Sequence, residues 1–152
     1  MTTTLQSMLK VALLMALMVL VFDIGKSIYI KQNYQGGIDF CAKAASMEIV
    51  RDQDYANGIV KIDEDKSKNT YREMMQKQFH ISHEKVEKNT IYAEPINEVP
   101  YTFEHPISGK EYTINEPMFV VVYRVGKKGV FMRKNIFIDN LSGSRISLRK
   151  DK

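Results

Sequence analysis

Residues 11–50 read "VALLMALMVLVFDIGKSIYIKQNYQGGIDFCAKAASMEIV", and the fold turns on how far that run stays helical. Twelve consecutive apolar residues, Val11 to Phe22, leave no polar face, which a surface helix of a soluble domain needs. Widened to residues 8–30, the stretch has 23 residues and carries only Lys10, Asp23 and Lys26 as charges. At about 1.5 Å per residue it covers roughly 34 Å, against a hydrocarbon core of about 30 Å. Lys10 and Lys26 have stems long enough to carry their ammonium groups to the headgroups, and Tyr29 and Tyr34 suit the interface. The following "DIGKSIYI" offers no small-x-small cleavage site, so an uncleaved anchor is expected rather than a secretory signal.

The helical pattern then continues past the span. Ile38, Ala42, Ala45 and Ile49 fall at i, i+4, i+7 and i+11, one narrow face, with Cys41 beside it. Small residues on such a face let another backbone come close. Two partners stay open for it: a helix of another subunit, or the chain's own sheet. Gly36-Gly37 weakens the helix locally and is expected to form a kink or hinge.

Working outward, Asn57-Gly58 breaks the chain and a second helix is expected from about Asp63. Asp63, Glu64 and Asp65 at its start and Lys77 near its end match the helix dipole. Tyr71, Met74, Met75, Gln78 and Phe79 trace its amphipathic stripe. From His80 the period changes. "KVEKNTIYAE" reads as a strand, "VPYTFEHPISGKEYTI" as a hairpin turning at Ser108-Gly109, and "PMFVVVYRV" as a nearly continuous apolar strand. "GKKG" then turns the chain into "VFMRKNIFID", and "SRISLRK" is expected as a charged edge strand. A long helix followed by antiparallel strands makes an α+β fold: a transmembrane helix continuing outward, a second helix, then a four- to five-stranded antiparallel sheet. The expected division is a tail at 1–10, the transmembrane helix at 8–30, an extended helix at 31–54 and an α+β domain at 55–152.

The 152 residues carry 22 basic and 18 acidic side chains, a net charge of +4, too small to argue for nucleic acid by itself. Residues 118–152 hold nine basic groups against Asp139 and Asp151, a basic region that is a candidate contact for an anionic surface polymer. Aromatics Tyr123, Phe131 and Phe137 interleave with it, but they sit in apolar strand patterns, so no nucleic-acid partner is expected. A single cysteine, Cys41, excludes an internal disulfide framework and a cysteine zinc cluster. No phosphate-binding glycine loop, G-x-S-x-G elbow or H-E-x-x-H is present. The only metal-like spacing is "HISHE", His80, His83 and Glu84, at a helix-to-strand junction ill suited to ligation. The expectation is no enzyme, no cofactor and no metal.

The stretch 11–46 resembles the TadE/TadG-like proteins, pilin-like minor components of tight-adherence pili. "VFDIGKSIY" matches their acidic-x-Gly-basic pattern through Asp23, Gly25 and Lys26, and "IDFCAKAAS" looks like their later helix through Asp39, Ala42, Ala44 and Ala45. The glycine before the apolar run and the glutamate five residues into the mature chain, which mark peptidase-processed prepilins, are not in this sequence. The resemblance implies a pilin-like assembly subunit in the cytoplasmic membrane, with its C-terminal domain outside and other pilin-like subunits or assembly-machine proteins as partners. It points to Asp23, Gly25 and Lys26 as assembly residues, to which the helical face adds Ile38, Cys41, Ala42, Ala45 and Ile49. For Asp23 two expectations stand side by side: pairing with a neighbouring subunit's cation, or a place among the headgroups with Lys26 one turn on. The alternative functions are a single-pass scaffold of a conjugation or secretion channel, and an anchored binding module for an anionic cell-surface ligand.

Overall fold

The computed structural model describes residues 2–126 and 135–141. One helix, α1 (Thr2–Ser46), runs 45 residues without interruption, which at about 1.5 Å each is some 68 Å. It is long and apolar enough to cross a membrane. A short turn of helix, α2 (Gln53–Ala56), precedes the loop at Gly58, whose φ of 84° is the left-handed conformation that glycine adopts without strain. Beyond it lie α3 (Glu64–Phe79) and α4 (His83–Asn89). Asp63 caps α3 by accepting a hydrogen bond from the Lys66 amide, and Glu64 and Asp65 fill its first turn.

Five strands follow: β1 (Thr90–Ile96), β2 (Tyr101–Glu104), β3 (Glu111–Ile114), β4 (Met118–Gly126) and β5 (Asn135–Asp139). They form an antiparallel three-stranded sheet ordered β1-β4-β5 and a separate β2-β3 hairpin. The α+β layout is as the sequence led us to expect, with the five strands divided into two sheets. β4 shows why. Phe119, Val121, Tyr123 and Val125 point to a core shared with the helices, while Met118, Val120 and Val122 point to a second core under the hairpin. A strand buried on both faces reads as a continuous apolar run, hence "MFVVVYRV". The hairpin closes the second core with Phe103 and Ile114, and the Phe103 ring lies 5.1 Å from that of Tyr92. The layers are therefore helices, a three-stranded sheet and a hairpin.

Three local expectations are corrected. Residues 85–89 of "KVEKNTIYAE" belong to α4, not to a strand; Val86 is buried in the helix-side core and β1 begins at Thr90. Gly36-Gly37 does not break α1. A Cβ on Gly37 would overlap the Phe79 ring, so this glycine lets the end of α3 approach α1, where Phe79 also stacks on Tyr34 at 4.7 Å. The helix expected at 31–54 is the last part of α1 and ends at Ser46. The "KKG" turn, the "SRISLRK" strand and most of the basic C-terminal region lie outside the described residues.

Candidate functional site: the two faces of the long helix

Past the span, α1 has one face inside the domain and one face outside it. Ile38, Cys41, Ala42 and Ala45 are fully buried, in one cluster with Tyr71 and Met75 of α3 and Phe119, Val121 and Tyr123 of β4. Of the two partners open for this face, the chain's own α3 and sheet occupy it. Ile38, Cys41, Ala42 and Ala45 are thus corrected from assembly residues to core residues; the small side chains serve a close helix-on-sheet approach within one chain. Ile49 is half-buried and forms an isolated bridge with Ile62. Burial pushes the Cys41 thiol up to about 12, which makes it an unreactive thiol.

The end of α1 is pinned to β4 by Ser46. Its hydroxyl donates to the Ala42 carbonyl at 2.9 Å and accepts the Phe119 amide at 3.1 Å. Earlier in the helix, Ile30 and Tyr34 pack against the same core, so the domain begins directly after the apolar run. Gln35 donates to Asp39 at 3.1 Å and to the Asp139 carbonyl at the end of β5. Burial raises the Asp39 carboxyl above its usual range and the nearby Asp139 charge adds to this, while the Gln35 bond opposes it. His105, for which the sequence offers no partner, lies buried at the β2-β3 turn. Its Nδ1 accepts the Ile107 and Ser108 amides, each at 3.2 Å, and its Nε2 stands 3.6 Å from the Asp139 carboxylate. The two amides require an unprotonated Nδ1, which leaves the ring proton on Nε2, facing Asp139. No local spacing signals this pair, because the residues are 34 apart in sequence.

Within the span, Asp23 is only 3 % exposed although its neighbours Phe22 and Ile24 are open. The side chain is thus covered within the single chain. Asp23, Lys26 and Ser27 each have interactions of their own, and Ser27 also donates to the Asp23 carbonyl at 2.9 Å. Gly25 and Lys26 are exposed.

The outer face of α1 is different in kind. Tyr29, Phe40 and Met47 are 66 %, 54 % and 69 % exposed, and they continue the line of exposed apolar residues that includes Val11, Met18 and Phe22. Gly25 and Gly36 lie on the same side, and a Cβ at either would meet nothing within 4 Å.

The residues considered for chemistry are placed apart from these faces. His80 is the C-cap of α3 with φ of 50°, and His83 in α4 lies 3.3 Å from Glu87 and 3.3 Å from Gln76. Among the described residues no group of three His, Cys, Asp or Glu is placed to hold a metal. A groove of about 310 Å³ between α3, α4 and β1 is walled by Lys68, Arg72, Glu87 and Glu94. Its charges are matched: Lys68 reaches Glu64 at 2.8 Å and Glu94 at 3.7 Å, and Arg72 reaches Glu87 at 3.6 Å. At its floor Thr90 spends its hydroxyl proton on the Val86 carbonyl, so the Tyr71 hydroxyl donates to Thr90. That arrangement offers no nucleophile beside a base. Comparison with protein-family models, curated proteins and solved structures finds no match for this chain.

Proposed function

We propose that this protein is a membrane-anchored, pilin-like structural subunit of a surface pilus or secretion-type appendage, acting by helix packing rather than by catalysis. The observation that carries the reading is α1 itself. Its first thirty residues expose apolar side chains, and its last ten form the spine of an α+β domain, with no break in the helix between them. Such a helix transmits the position of the membrane span directly to the domain, as a subunit that is built into a larger assembly requires. The resemblance of "VFDIGKSIY" to the acidic-x-Gly-basic pattern of TadE/TadG-like proteins supports the same reading.

In this reading residues 8–30 cross the cytoplasmic membrane and the domain lies outside the cytoplasm. Protease added to intact spheroplasts is expected to remove the domain. Deleting the gene is expected to abolish or shorten a surface appendage seen by electron microscopy. Protection of residues 60–152 in sealed spheroplasts overturns the topology, and with it the proposal.

A further inference from the structure

Two helical glycines on the open side of α1 have no packing neighbour that requires them among the described residues. Gly25 and Gly36 are eleven residues apart, three helical turns, and the space where a Cβ would stand is empty at both. A glycine inside a helix is disfavoured against alanine. Gly37 answers to the Phe79 ring, but Gly36, one residue earlier and about 100° around the helix, faces outward. Around these glycines runs a seven-residue repeat. Phe22, Lys26, Tyr29, Asn33, Gly36, Phe40, Lys43 and Met47 alternate at steps of four and three, the spacing with which two helices pack along a common seam. All eight are exposed.

We propose that this stripe is a self-association surface. Two copies, parallel in one membrane, pack residues 22–47 of α1 against each other about a two-fold axis, with Gly25 and Gly36 admitting the facing side chains.

Three features select a second copy as the occupant. A shared bilayer fixes two such helices parallel and level with each other, so identical stripes meet in register; this step rests on reading residues 8–30 as a span. Asn33 sits inside the stripe, where in a parallel pair it meets its own counterpart and forms a side-chain hydrogen bond that favours two strands in register. The area gives the third. At roughly 150–250 Å² per large side chain, the exposed parts of Tyr29, Phe40 and Met47 offer on the order of 400 Å² per copy. Two copies bury about 800 Å², below the 1,200–2,000 Å² or so of a free-standing interface. The surface therefore suits a partner already confined beside it in the membrane, where the effective concentration is of millimolar order. Lys26 and Lys43 hold two of the eight seam positions, where their long aliphatic stems can pack.

The test uses the purified full-length chain in phosphatidylcholine vesicles at low protein density. Phe40→Cys puts a thiol on the stripe and Lys31→Cys puts one on the opposite side of the helix. The native thiol, Cys41, is buried and serves as the background control. Mild oxidation is expected to convert Phe40→Cys to a species of twice 17.6 kDa and to leave the wild type and Lys31→Cys monomeric. Adding Gly36→Leu, whose Cβ would meet nothing within 4 Å, is expected to cut that yield about tenfold, as a loss of 1.4 kcal/mol would. The melting temperature of the domain should stay level or rise, which separates a blocked seam from misfolding. Equal yields from Phe40→Cys and Lys31→Cys, or a yield indifferent to Gly36→Leu, overturns the proposal. Neither result bears on the appendage reading, which the deletion strain tests independently.

Discussion

Replacing Ala45 by leucine tests where the inner face of α1 belongs. Ala45 is fully buried among Ile38, Tyr71 and Phe119, with α3 on one side and β4 on the other. Leucine adds three carbons to a site with no free surface, so side chains or backbone must shift, at a cost of about 1–3 kcal/mol. Were this face open and waiting for another subunit, the substitution would cost only a few tenths of a kcal/mol in helix propensity. The two cases differ by up to tenfold in energy. At about 4–8 °C per kcal/mol for a small domain, Ala45→Leu is expected to melt roughly 4–24 °C below the wild type. The measurement is a thermal melt of the full chain in detergent micelles, followed by the near-ultraviolet circular dichroism of its tyrosines. Met47→Leu, a volume-conserving change on the exposed face, is the control and should melt with the wild type. An Ala45→Leu protein that melts within error of the wild type refutes the placement of this face in the core.

Asp39→Asn keeps the acceptor for Gln35 and removes a half-buried charge. Because the Asp39 carboxyl is raised in the fold, its ionisation opposes folding: its contribution favours the folded state below the unfolded carboxylate range and is lost as pH rises through the raised value. The variant should therefore be more stable than the wild type at pH 7 and converge with it in acid, as urea titrations at both pH values will show. Asp63 runs the other way. The Lys66 amide and side chain lower its pKa, so its cap contributes above the unfolded carboxylate range and fades as pH falls through the lowered value. Asp63→Asn, which also caps, should flatten that acid limb of the stability profile. Tyr71→Phe removes the hydroxyl that donates to Thr90 and should cost about 0.5–1.5 kcal/mol in the same titration, with the fold intact.

Much of the fold was legible because it rests on periodicity. The apolar run at 11–22 can only be a helix with no water-facing side, and "MFVVVYRV" can only be a strand covered on both faces. What the pattern left open was what covers each face. The two layers around β4 require that a hairpin, β2-β3, leave the main sheet, and that depends on Phe103 and Ile114 meeting Val120 and Val122, contacts between strands of different sheets. The segment at 83–89 reads equally well as a strand because Val86 is its only apolar anchor, and one residue has no period. His105 lies in the β2-β3 turn and Asp139 in β5 of the other sheet, and they come together only when both are folded.

The glycine pair shows the same limit at its sharpest, and also how far it extends. Adjacent in sequence, Gly36 and Gly37 look like a single weak point in the helix. In space they face different neighbours. Gly37 is needed because Phe79 occupies the room its side chain would take, and that is an intramolecular fact a single chain can explain. A Cβ on Gly36 would meet nothing within 4 Å among the described residues, yet Gly36 lies in line with Phe40, Tyr29 and Met47, large apolar side chains that the fold also leaves open. An exposed helix gains nothing from such a glycine unless another surface comes close to it. The face that looked most like an assembly seam in sequence, Ile38-Ala42-Ala45, is consumed by the domain. The stripe proposed for self-association lies on the opposite side of the same helix, half a turn away, where a Cβ on Gly36 meets no atom within 4 Å, so Gly36→Leu separates the two roles.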